Sequence, residues 1–228
     1  MMKPAKLRGR IGAWLAVPGS RIRQMDRVLS LRLQGARLIN LTRQVAVRHA
    51  PLALLGCAVA AVSFAAAPGF SGLLGGTLGL LMLAVAVADA RAFIIPDELN
   101  LAAFVLGLAA AATKSDVSFP EDIAAAAVRG IIVACAFLAV RETYWRLRHR
   151  HGLGLGDVKL AAAAGVWLDW AFAAAAVELA ALAALIGYTV SQLVLRRPLS
   201  RTAKLPFGLF FAPAIWLCWL MSVIFFES

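Results

Sequence analysis

Seven apolar stretches, at about residues 52–67, 71–88, 99–112, 123–140, 158–168, 171–195 and 207–226, leave this chain few folds to choose from. Crossing the roughly 30 Å hydrocarbon layer of a bilayer takes about 20 residues of α-helix. A helix also satisfies its backbone hydrogen-bonding groups internally, which lipid cannot do for it. Strands of a membrane barrel would alternate apolar and polar residues, and these stretches are uniformly apolar. The composition agrees: 62% of the residues are hydrophobic and 15% charged, against about 45–50% and about 25% in soluble domains. The expectation is an all-α polytopic membrane bundle of six or seven transmembrane helices, seven preferred. Stretches 99–112 and 158–168 are short for a crossing, and the second needs flanking residues or a thinned bilayer.

Charge divides the chain and orients it. Residues 1–50 carry 11 of the 23 Lys and Arg against one acid, Asp26, whereas residues 51–228 carry 12 bases against 11 acids. The first part reads as a basic arm and the second as the membrane domain. Basic segments stay on the cytoplasmic side, where anionic lipid attracts them. The arm is therefore expected to be cytoplasmic and to meet membrane lipid rather than nucleic acid. Within it Ile22, Met25, Leu29, Leu33 and Ala36 recur at helical spacing, as in an interfacial amphipathic helix. Its short apolar run, 11–17, is broken by Pro18 and Gly19 with no small-residue cleavage site after it, unlike a signal peptide. Seven crossings then place Arg141, Arg146, Arg148 and Arg150, and later Arg196, Arg197, Arg201 and Lys204, on the arm's side of a cytoplasmic (inner) membrane. The acid-leaning residues 114–122 fall on the other side.

Several chemistries are missing their parts. Cys57, Cys135 and Cys218 lie far apart with no C-x-x-C, which removes a disulfide framework and a cysteine zinc site. His49, His149 and His151 sit in basic flanking segments and form no ligand set. No P-loop and no Ser/His/Asp set is present, so neither a metal nor another cofactor is expected. What remains is acidic. Asp89 closes the glycine-rich second stretch, Asp97 follows Pro96, and Asp157 follows Gly152, Gly154 and Gly156. The topology brings Asp89 and Asp157 to one membrane face. Ionisable groups at membrane depth are costly and mark function or a paired structural charge. Two carboxylates brought close do not both ionise easily: one keeps a proton and polarises a carbonyl while the other activates water. Helix capping is the structural alternative. It suits Asp97 and would also serve Asp157. It suits Asp89 least, because the dipole at a helix C-terminus disfavours an acid.

At these residues the sequence resembles the prepilin peptidases, the membrane leader peptidases of type IV pilus systems. Asp89 followed by Ile95, Pro96 and Asp97 is similar to their first motif. Gly154, Gly156, Asp157, Lys159 and Leu160 are similar to the second, G-x-G-D. Lys204, Leu205, Pro206, Phe207 and Gly208 resemble the family's Pro-Phe-Gly element. G-x-G-D alone says little in a glycine-rich chain, but three motifs in order are specific, and the resemblance covers about residues 71–228. It implies catalytic aspartates at Asp89 and Asp157, supporting positions at the other motif residues, and removal of a short basic leader from a pilin-like precursor at the cytoplasmic face. Larger members carry a domain with paired C-x-x-C motifs associated with N-methylation. Its absence here implies a compact peptidase without methyltransferase activity, like those of Flp/Tad-type systems. A presenilin-like G-x-G-D protease is the alternative within the same chemistry, disfavoured by Ala88 where those proteins have Tyr. A transporter or a non-catalytic assembly protein is the alternative outside it, and the matching broken helices of a transporter are not seen.

Three features remain outside the resemblance. Gly72, Gly75, Gly76 and Gly79 form overlapping G-x-x-x-G patterns, which let another helix approach closely. Trp145, Trp167 and Trp170 fall near segment ends, as interfacial aromatics do. Arg129 and Glu178 lie six and seven residues into their segments, each roughly 10 Å below the outer end at about 1.5 Å per residue. That matching depth leads to the expectation of a buried ion pair between them.

Overall fold

A computed structural model describes residues 50–113, 119–149, 152–195 and 206–226 of the chain. Residues 1–49 of the basic arm, Arg150, the loop with Arg196, Arg197, Arg201 and Lys204, and Leu205 lie outside these residues. The chain divides into two units, Met1–Leu54 and Leu55–Ser228. Among the described residues the regular elements are all helices: α1 (Ala50–Ala66), α2 (Phe70–Ala92), α3 (Asp97–Ala112), α4 (Phe119–Arg148), α5 (Leu155–Trp167), α6 (Trp170–Leu195) and α7 (Gly208–Phe226). Each of the seven apolar stretches holds one of them. Helices α2, α4, α6 and α7 are long and apolar enough to cross a bilayer, and the protein is a helical membrane bundle. Helix α5, with 13 residues, reaches about 20 Å.

Helices α2 and α7 form the centre. Half of the apolar window of each is buried, against 11% for α4 and 22% for α6. Lipid supplies no hydrophobic force between helices, so the bundle depends on close backbone approach and packing. The α2 glycines provide that approach. A Cβ on Gly75 would lie 1.7 Å from the ring of Trp219 on α7, so the indole fills the space a side chain would need. Leu78, Met82 and Val85 of α2 and Phe211 and Ile215 of α7 are fully buried. Trp216 of α7 donates its indole N–H to Ser63 Oγ of α1 at 3.0 Å, and Ser63 in turn donates to the Val59 carbonyl at 2.8 Å. Such ties hold apolar helices in register. Helix α5 packs against α3 and α4.

Four expectations are corrected. Trp167 is not interfacial: it is buried and donates its indole N–H to the Ala103 carbonyl of α3 at 2.8 Å. Helix α4 continues through 141–148, where a loop was expected. Once outside the apolar stretch that segment is held by good helix formers and by the i,i+4 pair of Glu142 and Arg146 at 3.0 Å. Asp97 does not cap α3. It is the first residue of that helix, Pro96 occupies the cap position, and the Asp97 carboxylate pairs with Lys159 at 2.6 Å. Finally, Arg129 does not pair with Glu178. Its Nε donates to the Gly165 carbonyl at 2.9 Å and its Nη1 lies 3.6 Å from Asp169 Oδ1, while Glu178 is exposed on α6. Depth along two helices matched, but the nearest neighbour of α4 is α5. The last carbonyls of α5 have no partner within the helix, and their partial negative charge attracts a cation.

Candidate active site

Asp89 stands one turn before the end of α2. The helix stops because Phe93 adopts the left-handed conformation, φ 54°, and its N–H closes onto the Asp89 carbonyl at 2.9 Å. Phe93 and Ile94 are exposed, and the chain then turns inward at Ile95, which is 7% exposed. Extended backbone at Pro96 opens α3. The Asp89 side chain is buried and reaches across to α7. Its Oδ2 accepts the Leu209 N–H at 2.9 Å, and the Gly208 N–H also bonds to it. These amides belong to the first turn of α7, whose N–H groups have no partner within the helix. Phe207 marks that start, because its carbonyl takes the first helical bonds, from Phe210 and Phe211. An anion at a helix N-terminus is favoured by both the free amides and the dipole. Asp89 is thus at the unfavourable end of its own helix and on the favourable end of another.

Asp157 is the third residue of α5. Its Oδ2 accepts the Gly154 N–H at 3.1 Å, so it too lies at a helix N-terminus. Gly156, the residue before Asp157, meets Ile95, which also meets Gly208 beside Asp89. Among the described residues, Asp89 and Asp157 are the only charged side chains that are buried.

One aliphatic side chain lies between the two halves of the site. A Cβ on Gly156 would be 3.0 Å from Ile95 Cβ, and a Cβ on Gly208 would be 2.7 Å from Ile95 Cδ1 and 2.9 Å from Asp89 Oδ2. A side chain at either position would have to push Ile95 aside, and at Gly208 the Asp89 carboxylate as well. Buried Asn100 of α3 donates Nδ2–H to the Gly156 carbonyl at 3.4 Å. The Asp97–Lys159 pair is more exposed and borders a groove of about 420 Å³ between α3 and α5, lined also by Glu98, Asn100, Leu101 and Phe104. The structure therefore brings together Asp89, Gly154, Gly156, Asp157, Phe207 and Gly208, with Pro96 directly beside Ile95 and Pro206 leading into α7. Arg129 and Glu178 take no part. The amide of Leu209, Ile95 as a packing element, and Asn100 are the members that residue types in the sequence did not announce.

Residues 76–190 match the type IV leader peptidase family. The prepilin leader peptidase/N-methyltransferase of Escherichia coli (strain K12) is 32% identical over 170 residues, which is 73% of this chain and 73% of that protein. The chain belongs to the type IV leader peptidase family. Leader peptidase HopD of Escherichia coli is 38% identical over 126 residues, 55% of this chain and 78% of that protein. The prepilin leader peptidase/N-methyltransferase of Pseudomonas putida is 30% identical over 214 residues, 91% of this chain and 67% of that protein. No solved structure matches the chain. The leader peptidase match contains Asp89 and Asp157 and stops short of Pro206, Phe207 and Gly208, whose place in the site rests on the geometry above.

Proposed function

We propose that this chain is a membrane aspartic endopeptidase that removes the leader from type IV pilin-like precursors, with Asp89 and Asp157 as the catalytic pair and no N-methyltransferase activity. The observation that carries the reading is the convergence of two buried carboxylates from distant motifs on one end of the bundle, each resting on a helix N-terminus and linked through Ile95, which meets both Gly208 and Gly156. A buried pair of like charges resists double ionisation, so the pair holds one proton between them. The ionised carboxylate takes a proton from water as the water attacks the scissile carbonyl. The protonated one donates its hydrogen bond to the carbonyl oxygen as negative charge develops there. Collapse of the tetrahedral intermediate passes a proton to the leaving amine and restores the pair.

Charge supports the cytoplasmic side for this chemistry. Arg91 at the end of α2 and Arg141, Arg146 and Arg148 at the end of α4 lie at the end that holds the aspartates; Arg141 Nε bonds to the Leu153 carbonyl, four residues before Asp157. Basic residues stay inside, and the basic arm is assigned there on its charge alone, with an inner-membrane location. The Escherichia coli and Pseudomonas putida relatives are named N-methyltransferases as well, whereas this sequence contains no C-x-x-C, the motif that the family resemblance associates with methylation. The test is the purified chain in lipid vesicles with a pilin-like precursor and labelled S-adenosylmethionine. A shortened product without label is expected, and Asp89→Asn and Asp157→Asn should each stop its formation. Processing that survives Asp89→Asn overturns the assignment of the pair, and label in the product overturns the exclusion of methyl transfer.

A further inference from the structure

We infer that Ile95 is a positioning residue of this peptidase: its side chain is a spacer that sets the separation of the two backbone segments on which Asp89 and Asp157 depend. The inference rests on the reading of those aspartates as the catalytic pair. Ile95 is 7% exposed, although the two residues before it, Phe93 and Ile94, are 56% and 65% exposed. The chain thus leaves two large apolar side chains outside and turns the third inward. There it meets a glycine on each side. Its Cβ faces Gly156, which precedes Asp157, and its Cδ1 faces Gly208, whose N–H bonds to Asp89. With no Cβ on either glycine, the width of one isoleucine is what lies between the two backbones. Each segment is also tied by a hydrogen bond: the Gly156 carbonyl accepts from Asn100 at 3.4 Å, and the Leu209 N–H donates to Asp89 at 2.9 Å.

The two aspartates stand on different helices, 68 positions apart in sequence, so nothing local fixes their distance. A reacting geometry displaced by about 1 Å loses roughly 100-fold in rate. Ile95→Val removes Cδ1, the atom nearest Gly208, and leaves the Cβ that faces Gly156. It should disturb the Gly208 contact most and the Gly156 contact less, and lower kcat roughly tenfold. Ile95→Ala relaxes both sides and should lower kcat roughly 100-fold. KM should stay within about twofold for both variants, because a side chain this buried is not offered to substrate.

A second readout is independent of activity. In a background with Cys57, Cys135 and Cys218 replaced by Ser, Asp89→Cys and Asp157→Cys are joined with bifunctional thiol reagents of graded length, with Ile95 and with Ile95→Ala. The shortest reagent that joins them should change when the spacer is removed. An unchanged crosslinking profile overturns the spacer role whatever the activity does. A kcat within twofold of wild type for Ile95→Ala, or a loss confined to KM, overturns the positioning role. If Ile95→Ala gives too little folded protein, Ile95→Val decides both measurements on the same terms. Failure of the catalytic assignment itself shows separately, as processing retained by Asp89→Asn or Asp157→Asn.

Discussion

Replacing Gly208 by Ala adds a single methyl group at the point where α7 meets Asp89. Its Cβ would stand 2.9 Å from Asp89 Oδ2, 3.1 Å from Asp89 Cγ and 2.7 Å from Ile95 Cδ1, where ordinary contact begins near 3.4 Å. Ile95 can give by turning its terminal methyl. The carboxylate has less freedom, because the Leu209 N–H holds it at 2.9 Å from the same turn of helix. Retreat by about 0.5 Å takes that bond beyond the usual 2.7–3.2 Å. A hydrogen bond to a charged group contributes about 1.5–3 kcal/mol, and about 1.4 kcal/mol is tenfold in rate. Gly208→Ala should therefore lower kcat roughly 10- to 100-fold, with KM and the amount of folded protein within about twofold. The matched control is Gly187→Ala, whose Cβ would meet only the end of the Phe210 ring, at 3.1 Å; it should keep at least half of the activity. Cleavage of a pilin-like precursor in vesicles, followed by gel mobility over a range of precursor concentrations, separates kcat from KM. A Gly208→Ala enzyme within threefold of wild type in kcat would refute the reasoning, since the carboxylate would then tolerate displacement from α7.

The Asp97–Lys159 pair is mostly exposed, and exposed pairs contribute about 0–1 kcal/mol, so Asp97→Asn should reduce kcat/KM by no more than about fivefold. Abolition as complete as that of Asp157→Asn would instead place Asp97 in the catalytic set. Arg129→Leu removes the donor to the Gly165 carbonyl and should cost about 1–3 kcal/mol, seen as a lower thermal midpoint in detergent, whereas Glu178→Leu should be nearly neutral. Arg129→Leu should couple to Asp169→Asn and add independently to Glu178→Leu; the reverse pattern would restore the pairing expected from depth alone.

Motif spacing revealed more of the site than of the packing around it. Asp89 stood out because an acid at a helix C-terminus has no local reason to be there. The structure supplies the missing reason, the amides of Gly208 and Leu209 on a helix 120 positions away. A backbone N–H carries no residue-type signal, so that partner was invisible beforehand, although the glycine at 208 and the proline two positions earlier marked the place. Ile95 was legible as part of a motif but not as a wedge, because one more aliphatic residue in an apolar chain attracts no notice. Asn100 was readable only as a polar residue inside an apolar stretch. Hydropathy located all seven helices of the described residues, yet it ended α4 too early, because a helix need not stop where its apolar residues do. Arg129 shows the other limit: counting residues gives depth along a helix but not which neighbour lies alongside. Trp167, close to a segment end, turned inward because Ala103 offered its carbonyl to the indole.

The most direct test of the central reading is a mutant cycle on the two aspartates in the purified, lipid-reconstituted enzyme, with kcat/KM measured for Asp89→Asn, Asp157→Asn and the double variant. Groups that act as one unit are strongly non-additive. Each single substitution should remove at least about 1,000-fold, and the double substitution should lose little more than the worse single. A single variant that keeps more than about a tenth of the wild-type value, or losses that multiply in the double, would contradict a shared catalytic pair.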